Sequence, residues 1–183
     1  MSRNIHEKNN DIVKKIEWLF HIIPLKKFRN TEKVDFDVMS LYQEFNWIDI
    51  VTHKPGAKSP WSAWWKDNLW YMHTGQEDNL ITLSWNRYIE LYTKKHWKIE
   101  RFEISHELIK WNWEIILEWP WILWWPTWVF HRNYSPEGSV SMNFAVRNDK
   151  FNFDTEFNIY KLDIETWKYK IQRLWKLDQL NNN

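Results

Sequence analysis

The sequence predicts a mainly β protein, a sandwich or barrel of short strands, preceded by a short α-helical N-terminal extension. Two observations lead to this fold class. Ten short runs rich in β-branched and aromatic residues follow one another from residue 48 onward, with turn signals between them. Before them, residues 11–29 carry apolar side chains at helical spacing. We therefore divide the chain into a helical extension at 1–45, a β domain at 46–178 and a disordered tail at 179–183.

The helical prediction depends on one capping residue and one row of apolar residues. Asp11 can serve as the N-cap, and Pro24 ends or kinks the helix. A second short helix is predicted over residues 34–45. The apolar row of the first helix consists of Ile12, Val13, Ile16, Leu19 and Phe20.

The predicted strands are short and lie in series without intervening helices, which favours a sandwich or barrel over a parallel α/β sheet. They are IDIVTH, LWYMH, NLITLS, RYIELYT, KIERFEIS, EIILE, VFHRNYS, SVSMNFAV, FNIYKLD and KYKIQRL.

Composition excludes several classes of protein. The net charge of +1 and the lack of a basic stripe predict no nucleic-acid partner. The absence of cysteine excludes disulfides, thiolate zinc sites and cysteine nucleophiles. No run of 18 apolar residues occurs, and the polar N-terminus has no signal-peptide core, so we expect no membrane partner and a cytoplasmic location.

Two residue counts are abnormal in opposite directions. The chain has 17 Trp and only 3 Gly, whereas average usage predicts roughly 13 Gly in a chain of this length. Several tryptophans stand where tight hairpins require a backbone with φ > 0 and therefore favour glycine, for example in Asn112-Trp113-Glu114. A tryptophan in that conformation is strained by roughly 1 kcal/mol or more.

We infer that many tryptophans occupy positions where the natural chain has glycine. The simplest cause is a UGA codon translated as Trp although the source organism translates it as Gly, and the Lys-, Asn- and Ile-rich composition fits an AT-rich genome. The alternative is that the tryptophans are genuine and form a sticky or membrane-interfacial surface. The candidate positions, which with the 3 glycines total 14, are Trp47, Trp61, Trp85, Trp97, Trp113, Trp119, Trp121, one of Trp124 and Trp125, Trp128, Trp167 and Trp175.

Two motifs become visible when glycine replaces Trp85 and Trp128. Pro126-Thr127-Trp128 and the following His131 then form a P-x-G-x-x-H pattern. Upstream, His73 is followed after four residues by Asp78, and Asp78 after six residues by Trp85. These elements resemble the cupin superfamily, whose first motif is G-x5-H-x-H-x3-4-E-x6-G and whose second is G-x5-P-x-G-x2-H-x3-N.

The resemblance covers residues 69–146 and has four departures. Tyr71 stands where the first histidine of the first motif belongs, Asp78 replaces the glutamate, and Ser135 replaces the asparagine of the second motif. The upstream glycine of the second motif is one residue out of register, at Trp121.

One branch of the superfamily, the dTDP-sugar epimerase-like cupins, is similar in two further respects. It has a comparable pair of strands where this chain has residues 87–105, and an H-x-x-Q element like His73-Thr74-Gly75-Gln76. The resemblance implies a double-stranded β-helix, a jelly-roll barrel with its ligand in the barrel mouth. It also implies a homodimer.

Three functions remain open for the barrel mouth. His73, Asp78 and His131 would form a two-His, one-carboxylate site suited to Fe(II), with Mn or Zn as further choices. In the metal-free alternative, which needs no cofactor, His73 is a general base and Tyr71 or Tyr134 a proton donor for sugar epimerisation or isomerisation. The third alternative is a non-catalytic cupin that only binds its ligand, so whether the chain is an enzyme stays open.

The predicted ligand is a small polar metabolite. Gln76, from the H-x-x-Q element, is a candidate contact with it. Arg132 and Arg147 could meet an anionic substrate near the mouth.

Overall fold

The computed structural model describes residues 12–38, 44–60 and 68–175, and within these ranges it contains β-strands and no helix. The strands are β1 (Lys14–Ile16), β2 (Phe20–Pro24), β3 (Lys26–Asn30), β4 (Asp35–Val38), β5 (Trp47–His53), β6 (Ala57–Ser59), β7 (Leu69–Met72), β8 (Gln76–Ser84), β9 (Arg87–Tyr92), β10 (Glu100–Ile104), β11 (Ile109–Trp111), β12 (Glu114–Leu117), β13 (Trp121–Trp125), β14 (Phe130–Ser135), β15 (Ser139–Arg147), β16 (Ile159–Asp163) and β17 (Lys168–Arg173).

Two antiparallel sheets form the barrel. The six-stranded sheet has the order β1-β2-β13-β8-β15-β5. The nine-stranded sheet has the order β12-β11-β10-β9-β14-β7-β16-β17, and β6 pairs with β14. Strands β3 and β4 form a separate hairpin. Many neighbouring strands come from distant parts of the chain, as a jelly roll requires.

The ten predicted strands are confirmed as β5, β7, β8, β9, β10, β12, β14, β15, β16 and β17. Strand β13 was not predicted, because its sequence WILWW is buried at all five positions and lacks the alternation that marks a half-exposed strand.

The predicted N-terminal helix is wrong. Strands β1 and β2 form a hairpin around Glu17–Leu19, and β2 pairs with β13 from Pro24↔Trp121 to His21↔Trp124. This pairing buries four consecutive residues of β2, whereas a surface helix would bury one face, so tertiary contacts override the helical spacing. The segment predicted as an extension therefore supplies two strands to the six-stranded sheet.

The second predicted helix, at 34–45, is also not observed. Strand β4 occupies Asp35–Val38, and residues 44–46 have no regular structure. Residues 39–43 lie outside the described part, as does the predicted tail at 179–183.

Within the described ranges, the structure contains no helix with the length and apolarity of a membrane span.

The main hydrophobic core lies between the two sheets and fills only part of the barrel. On the inner face of β8, apolar Leu80 is followed toward the start of the strand by polar Asp78 and Gln76, all of them buried. The polar side chains leave a cavity at this level, next to the core. The core residues include Phe20, Leu80, Ile89, Leu91, Phe102, Ile104, Trp121, Leu123 and Trp125.

Five of the tryptophans predicted to replace glycine have left-handed backbone conformations. Their φ values are 56° at Trp85, 59° at Trp97, 75° at Trp113, 66° at Trp128 and 60° at Trp167. L-residues with a Cβ rarely adopt this region, so the local sequence context identified these turns correctly.

The remaining candidate positions do not share this conformation in the described part of the chain. Trp121 and Trp125 lie in strand β13 and pack into the core. Nothing in their geometry requires glycine, because an extended strand accommodates a side chain at every position. Trp61 lies outside the described residues.

Candidate active site

A cavity of about 320 Å³ inside the barrel holds the three residues predicted to ligate a metal. Side chains alternate between the two faces of a strand, so His131 and Asn133 of β14 both point inward. Asp78 of β8 faces them from the other sheet, and His73 lies in the connection between β7 and β8. The jelly-roll topology thus brings residues 73 and 131 to one place.

His73, Asp78 and His131 form a compact buried cluster, the triad. Each has one potential ligand atom within 4.8 Å of the other two. Their exposed fractions are 5%, 3% and 5%. His73 Nε2 lies 3.7 Å from Asp78 Oδ2, and the two imidazole centroids are 4.7 Å apart.

Backbone carbonyls orient both imidazoles of the triad. His73 Nδ1 lies 2.9 Å from the Glu156 carbonyl oxygen, and His131 Nδ1 lies 3.3 Å from the Val129 carbonyl oxygen. A carbonyl oxygen only accepts, so each Nδ1 carries the donated hydrogen, and in the neutral ring Nε2 is the nitrogen with the lone pair. Both lone pairs are available for a proton or a metal ion.

The loop that carries His73 is fixed by Glu156. The Glu156 carboxylate accepts hydrogen bonds from Gly75 N at 2.6 Å and from Thr74 Oγ1 at 3.2 Å. Gly75 is required here, because a Cβ at this position would lie 2.4 Å from the backbone nitrogen of Phe151. Glu156 therefore holds the loop by its side chain and His73 by its carbonyl oxygen.

Asp78 has one satisfied and one unsatisfied carboxylate oxygen. Oδ1 accepts hydrogen bonds from Gln76 Nε2 at 2.8 Å and from Asn143 Nδ2. Oδ2 is buried and has no hydrogen-bond partner in the described part of the chain. Burial raises the pKa of Asp78, while His73 and the two amide donors act in the opposite direction. The free oxygen is the one that faces His73.

Burial keeps His131 neutral. The pKa of His131 lies well below its ordinary value, chiefly because burial disfavours the charged ring and also because of the neighbouring His73. A neutral imidazole can accept a proton or bind a metal ion at neutral pH.

Tyr71 lies beside the triad. It belongs to β7, which pairs with β14 at His131↔Tyr71, and its ring centroid is 5.9 Å from that of His131. Tyr71 also lines the cavity. A phenol thus occupies the position where the cupin motif has its first histidine.

The predicted ligand contacts Gln76 and Arg147 bind each other. Arg147 Nε donates to Gln76 Oε1 at 2.7 Å, and Nη2 donates to Asp49 Oδ1 at 3.0 Å. The Arg147 guanidinium also lies over the ring of Trp47 at 4.5 Å. Gln76 lines the cavity, whereas the structure places Arg147 among these protein partners and not in the cavity lining.

Arg132 and Tyr134 lie on the outer face of the nine-stranded sheet. Their positions alternate with the inward-facing residues of β14, so parity directs them away from the cavity. Arg132 pairs with Glu90 and lies 4.1 Å from the Trp70 ring centroid, and Tyr134 stacks on Tyr88. The structure therefore does not bring the predicted substrate contact Arg132 or the predicted proton donor Tyr134 to the triad.

Sequence reasoning missed Arg87 and His53, which also line the cavity. Alternation in the run RYIELY could have identified Arg87, because this residue shares a face with the core residues Ile89 and Leu91. No local signal pointed to His53.

Comparisons with known proteins identify the fold. No protein-family model matches the chain, and no curated protein matches it. A dTDP sugar isomerase from Desulfovibrio desulfuricans G20 is 10% identical, with a TM-score of 0.52 over 80% of this chain and 85% of that one. A sugar 3,4-ketoisomerase from Thermoanaerobacterium thermosaccharolyticum, solved with TDP, is 12% identical, with a TM-score of 0.51 over 73% and 84%.

A third similar structure is the dTDP-4-dehydrorhamnose 3,5-epimerase from Sulfolobus tokodaii. It is 12% identical, with a TM-score of 0.51 over 84% of this chain and 82% of that one. Identities this low establish the fold alone. The chain therefore has the jelly-roll fold of these dTDP-sugar isomerases and epimerases, the fold that the cupin resemblance implies.

Proposed function

We propose that the barrel cavity binds a small polar metabolite and that the chain is a sugar isomerase or epimerase working by acid–base chemistry beside a carbonyl group. One observation carries the proposal: His73 has its Nδ1 fixed by a backbone carbonyl and its Nε2 3.7 Å from Asp78 Oδ2 in the cavity. A base oriented by a hydrogen bond on one nitrogen, with a carboxylate close enough to stabilise its protonated form, is suited to proton abstraction.

The chemistry follows from the two groups beside the cavity. His73 Nε2 removes a C–H proton next to the substrate carbonyl, and the electron pair moves to the carbonyl oxygen. The Asp78 carboxylate stabilises the imidazolium that forms. In an isomerisation, the proton then returns to the former carbonyl carbon. The hydroxyl group on the carbon that lost its proton gives its own proton to the former carbonyl oxygen, so that the carbonyl moves to the adjacent carbon without net change in atoms or charge. Tyr71 is the proposed donor when the proton returns to the opposite face, as in an epimerisation.

The similar structures suggest the first substrate to test. The ketoisomerase was solved with TDP, and a variant of it with TDP-4-keto-6-deoxyglucose. A keto sugar linked to TDP supplies the carbonyl group and the acidic C–H bond that the mechanism uses.

Deuterium exchange tests the proposal. TDP-4-keto-6-deoxyglucose incubated with the full-length chain in D₂O should take up deuterium beside its carbonyl, as followed by NMR. His73→Asn should slow the exchange by about 10²-fold or more, because an amide cannot accept the proton. His106→Asn, the same change at an exposed histidine, should leave it unchanged. Exchange that survives His73→Asn would refute the proposal, and binding without exchange would indicate a ligand-binding protein.

A divalent metal site is the second candidate function. It is favoured by the convergence of three lone pairs, on Nε2 of His73, Nε2 of His131 and the unpartnered Oδ2 of Asp78. The set of two imidazoles and one carboxylate fits Fe(II), Mn or Zn, and a bound ion would supply a Lewis acid for the substrate oxygen. The second oxygen of Asp78 is already held by two amides, as is common for carboxylate ligands.

Elemental analysis separates the two candidates. A metal-dependent chain should carry close to one ion, lose it in His131→Ala and retain it in His106→Ala. If chelation leaves the deuterium exchange unchanged, the metal-free mechanism stands.

We propose that the five tryptophans with φ > 0 are glycine in the native protein. Their left-handed backbone supports this, and the intact mass of protein purified from its source would test it. A mass that requires 17 Trp would refute it.

We also propose a homodimer. Support comes from β5, an edge strand with Ile48 and Ile50 exposed to 53% and 71%. Light scattering after size-exclusion chromatography tests this state.

The cytoplasmic location stays a prediction from the sequence.

A further inference from the structure

Arg87 lines the same barrel cavity as the triad and is 4% exposed. Its Nη1 donates to Ser141 Oγ at 2.8 Å. Its Nε is buried and has no hydrogen-bond partner among the described residues. Within the same residues, no carboxylate forms an ion pair with this guanidinium. Arg87 is therefore a buried charge that faces a cavity.

Three other arginines of the barrel strands have carboxylate partners. Arg101 and Arg132 both pair with Glu90, and Arg147 pairs with Asp49. A buried charge without a partner destabilises the folded protein. Burial lowers the pKa of Arg87 to about 10, so this guanidinium remains charged at neutral pH. Asp78 also acts on this charge electrostatically, but it forms no ion pair with it, so the place of a direct anionic partner is open among the described residues.

A hydrogen-bonded chain holds Arg87 in place. His53 Nε2 lies 3.4 Å from Arg87 Nη2, and His53 Nδ1 lies 2.9 Å from Ser135 Oγ. Ser135 Oγ lies 2.9 Å from Ser139 Oγ. Burial and the Arg87 charge lower the pKa of His53 to about 4, so the ring is neutral and adds no second charge. Ser141 and His53 thus orient the guanidinium from two sides and leave its Nε free.

Strand β15 contacts both the triad and Arg87. Asn143 contacts Asp78 of the triad, and Ser141 contacts Arg87. These two residues lie two positions apart on one strand and on the same face, so their backbone positions are about 7 Å apart. A ligand as small as one hexose ring with a charged exocyclic group can therefore contact both the triad and Arg87.

We propose that Arg87, oriented by Ser141 and His53, binds an anionic group, a carboxylate or a phosphate, on the ligand whose other end contacts the triad. The substrate class is then an acidic or phosphorylated sugar. This inference rests on the proposed function, because it places the same ligand in the same cavity. Anion binding, however, can be measured without turnover.

Isothermal titration with three simple sugars tests the inference on the full-length chain. D-glucuronate and D-glucose 6-phosphate carry the two anionic groups, and methyl glucoside carries none. We expect at least one anionic sugar to bind at least tenfold more tightly than methyl glucoside. Tighter binding of glucuronate identifies a carboxylate ligand, and tighter binding of the 6-phosphate identifies a phosphate ligand.

Two arginine variants attribute the binding to Arg87. Arg87→Gln should weaken binding of the anionic sugar at least tenfold, and Arg101→Gln, on the outer face, should not change it. Arg87→Gln should also abolish the rise in melting temperature that the anionic sugar causes, whereas Arg87→Lys should retain part of it. The lysine variant shows whether the charge itself is needed in a folded protein.

The inference is overturned if neither anionic sugar binds, if methyl glucoside binds equally well, or if Arg87→Gln binds normally. The deuterium-exchange experiment separates these outcomes from a failure of the proposed function. Anion binding that depends on Arg87, with no deuterium exchange for any keto sugar, would refute the acid–base function alone. Exchange that is unaffected by Arg87→Gln would refute the present inference alone.

Discussion

Seven of the described tryptophans form two groups with opposite environments. One group lies in turns with φ > 0 and is more than half exposed, and it comprises Trp85, Trp97, Trp113 and Trp128. The other lies in strands and is buried to at least 96%, and it comprises Trp70, Trp121 and Trp125. Burial of a large ring stabilises the second group. The first group bears the cost of a left-handed backbone with little burial to offset it. The same residue type thus has a packing role in the barrel and none in these turns.

Trp167 is intermediate between the two groups. Its φ is 60°, but its ring lies 5.7 Å from that of Phe130 and 5.3 Å from that of Tyr169. These contacts offset part of the backbone strain. The comparison therefore depends on burial as well as on φ.

Truncation of a barrel tryptophan should have the largest effect. Trp121→Ala should lower the free energy of unfolding by about 3–5 kcal/mol, because it leaves a cavity in the core. Chemical denaturation measures this loss. Trp18→Ala, at a 57% exposed position, is the matched control and should change stability by less than about 1 kcal/mol. A loss below 1 kcal/mol for Trp121→Ala would contradict the packed role of this ring.

Replacing the four exposed turn tryptophans by glycine should raise the free energy of unfolding. Glycine relieves about 1–2 kcal/mol of strain per site, and its greater flexibility in the unfolded chain cancels about 0.5–1 kcal/mol of this. Trp85→Gly, Trp97→Gly, Trp113→Gly and Trp128→Gly together should raise the free energy of unfolding by roughly 2–4 kcal/mol. The fourfold alanine variant is the control, because alanine keeps the Cβ and the strain. Equal stability of the two variants would show that φ is not the cause.

The pH dependence of stability should come from buried histidines of the barrel and not from the turn tryptophans. The folded-state pKa of His53 is lowered to about 4 from its ordinary value of 6.5, mainly by burial and further by Arg87. The unfolded chain therefore binds a proton first as the pH falls. Proton binding to His53 in the unfolded chain therefore lowers the free energy of unfolding. The loss is absent above pH 6.5 and grows as the pH falls toward 4.

Melting temperatures measured across this range should fall by several degrees in the wild type and in the fourfold glycine variant alike. The melting temperature of His53→Asn should fall less steeply with pH. Some fall should remain, because the pKa of His131 is also lowered in the folded protein. If the melting temperature of the fourfold glycine variant fell more steeply with pH than that of the wild type, the turns would affect the titration of the barrel interior, contrary to this prediction.

The smallest effect is expected at Trp167. Trp167→Gly should change the free energy of unfolding by less than about 0.5 kcal/mol, because lost ring contacts offset the relief of strain, whereas Trp113→Gly should gain about 0.5–1 kcal/mol. Denaturation curves of the two single variants test this. A larger gain at residue 167 than at residue 113 would show that burial does not moderate the strain.

Local chemistry explains which parts of the structure could be predicted. The turn at Trp113 was identified because a left-handed residue after an asparagine is a property of two or three neighbouring residues. The resemblance to the first cupin motif implied that His73 and Asp78 share one site, and both line the same cavity. The resemblance of motifs added His131, and the fold confirms that the three residues meet.

The failures have equally specific causes. Residues 12–24 have helical spacing, but pairing of β2 with β13 decides their conformation, and the partner strand lies about a hundred residues away in the chain. Arg132 was assigned to the ligand without regard to strand parity, which turns it to the outer face. Arg87 and His53 meet only because β9 and β5 line the same barrel.

The sequence by itself determined the mainly β class, the ten later strands and the left-handed turns, and its resemblance to the cupin motifs pointed to the three residues of the triad. These features depend on side-chain alternation, on turn conformation and on motif spacing, all of which act over short stretches of chain. Only the tertiary structure decided that the N-terminal segment is a sheet hairpin, that Arg132 and Tyr134 face outward, and that Arg87 faces the cavity. Those features depend on which distant strands pair and in which register, and a shift of one residue in a strand exchanges its inner and outer faces.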